Sequence, residues 1–345
     1  MVSRQITVHH STATSRVALA VSAVVVAILI TVPFWAEQRT SRTLVSLLTL
    51  IALAQMWNLL AGYAGLVSVG QQGYIGIGAY SLWLLTDVFG VSPFLAVPMT
   101  GFFAAAISLP TAGLVFRLKG GYFAIGTWVM AELFRLAVAN IPQTGGGSGK
   151  TITSVAQMAV TTRMRGTYWL ALACAVGAIV VVYALLRARV GLALTAIRDN
   201  EPAVESLGVH VFRAKLWAYV VAAFGCGVTG SVIYLNLLRI QPDPSFSIQW
   251  TAIMIFIVVI GGVGTIEGPI LGALIFFALQ ETLSQHGSWY LILLGVLAVI
   301  ITVWFPGGLW GTVVRRWHIH LFPVQRRLLL TGSEEAGVVA ESQDA

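Results

Sequence analysis

Charge is scarce in this sequence. Asp, Glu, Lys and Arg make up 10% of its 345 residues, where a soluble domain carries roughly 25%. A chain so poor in charge cannot cover a surface that faces water, which excludes an ordinary soluble domain. Cysteine is nearly absent as well. Cys174 and Cys226 each sit inside an apolar run, and two such residues define neither a disulfide framework nor a metal site. Acidic residues (13) are fewer than basic ones (20), for a net charge of +7. That balance fits basic loops on the cytoplasmic side of a membrane better than nucleic-acid binding. An intact nucleotide-binding motif is missing. The nearest approach, TGGGSGKT (Thr144–Thr151), has Thr144 where the first glycine of G-x-x-x-x-G-K-[ST] belongs, and it follows an apolar helix rather than a strand. A catalytic constellation is missing too. His9-His10 lie in a polar tail, and neither His286 nor His318 belongs to a convergent set of His, Asp, Cys or Ser.

What is present is oil and glycine. Hydrophobic residues reach 57%, mean hydropathy is +0.86, and there are 35 glycines, which suit close helix–helix approach in a bilayer. Residues 1–16 are polar. The run Val17–Phe34 is long enough to span; its basic start resembles a signal peptide, but it is longer than a usual signal core and lacks a clear A-x-A site, so it reads as a retained first helix. Further spans fit Thr43–Gly62, Pro93–Phe116, Tyr122–Ala139, Tyr168–Leu186, Leu216–Leu238 and Tyr290–Phe305. Between the second and third of these uniform runs lies Gly62–Leu85, apolar yet broken by glycines and by Gln71-Gln72. It reads either as a tightly packed interior helix or as a pathway-lining segment with Gln71, Gln72 and Tyr74 as its polar lining. Trp250–Gln280 is too long for one span. Gly261, Gly262, Gly264, Gly268 and Pro269 interrupt it, which predicts two helices joined by a tight turn, or two half-helices.

The expectation is an all-α polytopic membrane protein of about ten transmembrane helices, some broken or short. Glu132 and Arg135, three residues apart on one helix face, can pair, which reduces the cost of charge within a span. Ten spans place both termini on one side. That side holds 13 Lys and Arg and the other holds 7, so the positive-inside rule makes it cytoplasmic. The layout is then a cytoplasmic tail (1–16), a permease domain (17–310) and a cytoplasmic tail (311–345) disordered at its end. Loop 140–166 faces outward and loop 187–215 faces the cytoplasm.

That last loop, RARVGLALTAIRDNEPAVESLGVHVFRAK, is the most charged interruption with helical character. Asp199 or Asn200 can cap a helix there, Pro202 falls in its first turn, and Glu201 and Glu205 sit at its positive end. Gly208 is placed to end it. The prediction is a helix of about six residues. Its apolar residues Ala203, Val204 and Leu207 are too few for strong lipid binding, so docking into a groove on a partner fits better.

RDNEPAVESLGVHVFRAKLWAY (Arg198–Tyr219) resembles the cytoplasmic loop of branched-chain amino-acid ABC transporter permeases of the Liv type. NLLAGYAGLVSVGQQGYIGIGAY (Asn58–Tyr80), the TGG of Thr144–Gly146 with Gly149, and GGVGTIEGPILGA (Gly261–Ala273) are similar to that family in the same order. The importer loop has the form E-A-A-x-x-x-G. Aligned on Gly208, Ala203 matches, while Pro202 and Val204 depart from it, leaving Glu201 and Glu205 as the acidic candidates. The resemblance implies a transport subunit rather than an enzyme, working by alternating access in the bacterial cytoplasmic (inner) membrane. It implies a second homologous permease, two ATPases that carry the ATP and Mg, and an external solute-binding protein. No cofactor is expected on this chain, and no nucleic acid partner. ATPase coupling would fall on Arg198, Asp199, Glu201, Ala203, Glu205, Ser206 and Gly208. The pathway would include Asn58, Gln71, Gln72, Tyr74, Thr144, Gly145 and Gly146, with a hinge at Gly261, Gly262, Gly264 and Gly268. Relatives carry branched-chain or other amino acids, urea, amides or small aromatic acids. The alternative is an ion-coupled carrier or channel. Such proteins keep ionisable groups deep in their spans, and beyond Glu132 and Arg135 only Asp87, Glu267 and Glu281 are available, all near span ends.

Overall fold

The computed structural model describes residues 5–9, 13–283, 289–305, 307–317 and 327–331. His10, His286, His318 and the end of the C-terminal tail lie outside them. Helices dominate: α1 (Ala13–Trp35), α2 (Gln38–Asn58), α3 (Gln71–Trp83), α4 (Pro93–Val115), α5 (Gly121–Ala139), α6 (Thr153–Ala156) and α7 (Val160–Arg187). There follow α8 (Arg189–Ser206), α9 (Val211–Leu237), α10 (Pro242–Ser245), α11 (Ile248–Gly261), α12 (Glu267–Leu283), α13 (Trp289–Trp304) and α14 (Gly308–Trp317). Two short antiparallel pairs complete the fold. Strand β1 (Gln5–His9) pairs with β4 (Arg327–Thr331) and brings the two ends of the chain together, and β2 (Lys150–Thr151) pairs with β3 (Arg239–Ile240).

Six segments among the described residues are long and apolar enough to cross a bilayer: Gln38–Tyr63, Pro93–Val115, Gly121–Ala139, Val160–Arg187, Val211–Leu237 and Pro242–Gly261. The apolar part of α1, Ala20–Trp35, is shorter. At 13 residues, α3 is about 20 Å long, too short to span alone. Every one of its residues is buried, so protein rather than lipid surrounds it, as a broken helix requires.

Helices α2, α3 and α9 form the centre, and small residues set their spacing. A Cβ on Gly78 would collide with the backbone of Gly227, and one on Gly230 with the backbone of Ile75, so α3 and α9 meet main chain to main chain. Tyr74 and Tyr219 bridge the same pair through their hydroxyls at 3.0 Å. In contrast, α5 turns most of its surface outward, exposing Tyr122, Ile125, Val129 and Leu133 as a lipid-facing helix does.

The structure differs from the sequence expectations at three boundaries. Helix α7 starts at Val160 rather than Tyr168, its first two turns being the polar stretch with Arg163 and Arg165 that precedes the apolar run. Helix α14 runs across residue 311, where the tail was expected to begin. The third boundary is α8, described next.

Candidate functional site

The charged loop contains more helix than its cap residues alone predict. Helix α8 runs from Arg189 to Ser206 and breaks at Asn200, whose backbone is extended (φ −156°, ψ 91°). The first half buries Gly191, Leu194 and Ile197 on one face, a spacing that the surrounding arginines obscure. The second half is the short helix the sequence predicts. Between the two possible caps, the structure uses Asn200: its Oδ1 accepts from the Ala203 N–H at 3.2 Å, leaving Pro202 in the first turn. The far end closes as a Schellman motif. Gly208 adopts φ +81°, its N–H donates to the Glu205 carbonyl at 3.0 Å, and the Val209 N–H donates to Val204 at 3.4 Å. Val204 is buried, whereas Ala203, Glu205, Ser206, Leu207 and Gly208 are exposed. Leu207 is 81% exposed, so the tip presents a large apolar side chain and a carboxylate to solvent.

Two contacts root this tip in the bundle. Lys215 on α9 pairs with Glu201 at 2.7 Å. Arg198, beside the break, holds Asp199 at 2.9 Å with Nε and donates from Nη1 to the Gly62 carbonyl at 2.8 Å. Gly62 lies in the wide turn (Leu59–Tyr63) that ends α2. Carbonyls at a helix C-terminus lack intrahelical donors and carry partial negative charge, so a guanidinium is a fitting cap.

The same end of α2 grips the turn between α11 and α12. Asn58, fully buried, accepts from the Gly264 N–H at 2.9 Å and donates to the Thr265 carbonyl at 2.8 Å. One turn earlier, Gln55 donates to the Ile266 carbonyl at 2.6 Å. Gln55, Asn58 and Gly62 therefore form one face of α2 that meets the backbone of three consecutive turn residues. Gly62 carries no Cβ because one would lie 2.6 Å from the Gly264 nitrogen. The turn itself is the tight connection that its glycines predict. Gly262 and Gly264 have φ of +133° and +76°, a Cβ on Gly261 or Gly268 would strike the opposite strand of the turn, and the Thr265 hydroxyl donates to Gly262 at 2.9 Å. Gly308, opening α14, also packs against Gly262.

Gln71, Gln72 and Tyr74 lie near the start of α3 and are all buried. Gln71 accepts from the Cys226 thiol at 3.4 Å and donates to Ser68 at 3.3 Å. Gln72 accepts from the Thr251 hydroxyl. These polar groups form a seam between α3, α9 and α11. Sequence reasoning missed Gln55, Ser68, Thr251 and Tyr219. Only Gln55, three residues before Asn58 in an apolar helix, offered a signal.

At the opposite end, Thr144 donates to the carbonyls of Val138 (2.8 Å) and Ile141 (2.6 Å), and Gly145 and Gly146 adopt positive φ. Asp87 receives the Thr153 N–H at 2.8 Å, the Thr153 hydroxyl at 2.8 Å and the Ser154 N–H at 3.0 Å. Partial burial works against the Asp87 carboxylate, but the hydrogen bonds from Ser154 and Thr153 outweigh it and hold its pKa below the ordinary value. Glu132 and Arg135 pair at 2.5 Å, and Arg135 also reaches Asp243 on α10. Thr144–Gly146 and the Gln71–Tyr74 seam are separate groups of residues, as are the seam and the Arg198 junction.

A bundle of apolar helices around a buried half-helix, with a capped and charged loop helix standing out from it, defines an all-α polytopic membrane protein. The chain belongs to the family described as "branched-chain amino acid transport system / permease component", whose model matches residues 39–302. It is similar to the high-affinity branched-chain amino acid transport system permease protein LivM of Escherichia coli, at 30% identity over 303 residues, 80% of this chain and 71% of that one. The LivM of Salmonella typhimurium is 30% identical over 278 residues, 73% of this chain and 65% of the relative. A ribose import permease protein, RbsC of Haemophilus influenzae, is 27% identical over 127 residues, 35% of this chain and 39% of its own. No solved structure matches the chain. It is a multi-pass protein of the cytoplasmic membrane.

Proposed function

We propose that this chain is the translocating subunit of an ABC importer for an amino acid or a similar small polar solute. Separate ATPase subunits drive it by alternating access, a second permease completes the pathway, and an external binding protein delivers the solute. The tip of α8 faces the cytoplasm, as the distribution of Lys and Arg suggests, and docks on the ATPase. ATP and Mg belong to that partner. The observation that carries this reading is the Arg198–Gly62 bond. It ties an exposed, rigidly capped helix to the end of α2, and α2 in turn grips the α11–α12 turn. Displacement of the tip is thereby delivered to α2 and, through it, to α11 and α12. Separation of α3 from α9 and α11 would uncover Gln71, Gln72 and Tyr74 to a solute.

The test is co-purification followed by transport. The full chain, expressed with its genomic neighbours, should bring an ATPase with it and support ATP-dependent uptake of a labelled amino acid in proteoliposomes. Glu205→Lys should preserve assembly of the membrane subunit while reducing uptake. Uptake that proceeds without ATP, driven by an ion gradient, would show an ion-coupled carrier instead.

A further inference from the structure

We propose that the chain carries a phospholipid site between α4, α7 and α9, with the lipid phosphate on Arg165 and one acyl chain lying along α7. Two adjoining hollows mark it. One, of about 530 Å³, is lined by Thr161, Thr162, Arg165 and Trp169 together with Phe94 and Leu170. The other, of about 280 Å³, shares Phe94 and Leu170 and continues between the three helices, with Gly177 and Val181 at its far end. Both are walled mainly by apolar groups, and Arg165, Thr161 and Thr162 stand at the first, where a headgroup would lie.

Length and charge agree with this occupant. From Trp169 to Val181 the groove follows α7 for about 18 Å, close to the roughly 15 Å depth of one bilayer leaflet. Arg165 sits over the Phe34 ring at 5.4 Å and has no carboxylate partner among the described residues. Its guanidinium fork can therefore take a phosphate. Trp169 meets the same Phe34 in a tilted ring contact at 6.0 Å, at the level where tryptophan and arginine anchor a membrane interface. Along the groove, a Cβ on Gly177 would meet nothing within 4 Å, so the space beside it is open to a chain. The proposed orientation of the importer decides only which leaflet supplies the lipid, here the outer one.

The experiment uses the full chain in nanodiscs of phosphatidylglycerol that carries a photoreactive diazirine midway along one acyl chain, with cross-linked peptides mapped by mass spectrometry. Cross-links should concentrate on the facing walls of α4, α7 and α9. Gly177→Leu, whose Cβ meets no atom within 4 Å and whose side chain extends into the groove, should abolish them. Gly113→Leu, at an equally open position elsewhere on α4, should leave them unchanged. Arg165→Ala should weaken retention about fivefold, the worth of one cation at an anionic lipid surface. Equal labelling of the parent and Gly177→Leu would overturn the proposal. So would a benzoylphenylalanine at Ala173 that cross-links to another polypeptide in membranes, since the groove would then be a subunit interface.

Discussion

Replacing Asn58 with alanine removes two of the three bonds that fasten α2 to the α11–α12 turn and leaves only the one from Gln55. The Gly264 N–H and the Thr265 carbonyl would be left without a partner in a site that Asn58 now fills at 0% exposure. Each orphaned backbone group costs about 1–3 kcal/mol, so the pair should cost about 2–6 kcal/mol. An unfolding entropy of roughly 2.1 cal/mol/K per residue over 345 residues gives about 0.7 kcal/mol per degree. The melting temperature should therefore fall by about 3–8 °C, measured by intrinsic fluorescence on the purified chain in detergent. Asn58→Asp supplies an internal check. Its carboxylate still accepts from Gly264 but places a bare oxygen against the Thr265 carbonyl. Its loss should shrink at low pH, where a protonated carboxyl can donate to that carbonyl. If Asn58→Ala melts within about 1 °C of the parent, the clamp does not hold the turn, and the route from Arg198 to α11 and α12 is wrong.

Three further outcomes follow from the geometry. Gly208→Ala meets no neighbouring atom, so its effect is purely conformational. The left-handed backbone should cost about 1–2 kcal/mol, fray the tip of α8, and raise ATP hydrolysed per solute carried in the reconstituted transporter. Arg198→Ala removes the bond to Gly62 from a side chain 38% exposed, where screening leaves about 1 kcal/mol; uptake per ATP should drop about fivefold while ATPase binding in pull-down stays intact. Because hydrogen bonds from Ser154 and Thr153 lower the pKa of Asp87, its hold on residues 153–154 is complete above the ordinary carboxylate range and drains as pH falls through the depressed folded value. Hydrogen-exchange protection factors across residues 144–157, taken relative to the intrinsic rate at each pH, should fall in acid, and Asp87→Asn should show low protection at every pH.

Features set by local chemistry were legible in the sequence. Asn200, Pro202 and Gly208 mark the start and end of a helix through groups a few residues apart, and the structure forms that helix with the expected caps. Gly261, Gly262, Gly264 and Gly268 likewise announce a turn that no other residue could build as tightly. The first half of α8 was hidden because Arg187, Arg189, Arg198 and Asp199 outweigh the Gly191, Leu194, Ile197 periodicity that would have revealed it. The partner of Arg198 was illegible for a different reason. Gly62 is 136 residues away and offers only a carbonyl, which every residue has. Gln71 and Gln72 left two readings open because an amide facing a cavity and an amide facing a neighbouring helix look alike in a sequence. Here they meet Ser68, Cys226 and Thr251.

The grip of α2 on the α11–α12 turn is one-sided, side chains on α2 against main chain in the turn, and this bears on which substitutions the protein can absorb. Val263 is 48% exposed, and changing it leaves every bond to Gln55 and Asn58 in place. No such latitude exists at Asn58 or Gly62, where a different side chain either loses the bonds or strikes the turn. In a saturation library selected for growth on the transported solute, Val263 should accept many residue types, while Asn58 and Gly62, against the same few atoms, accept almost none.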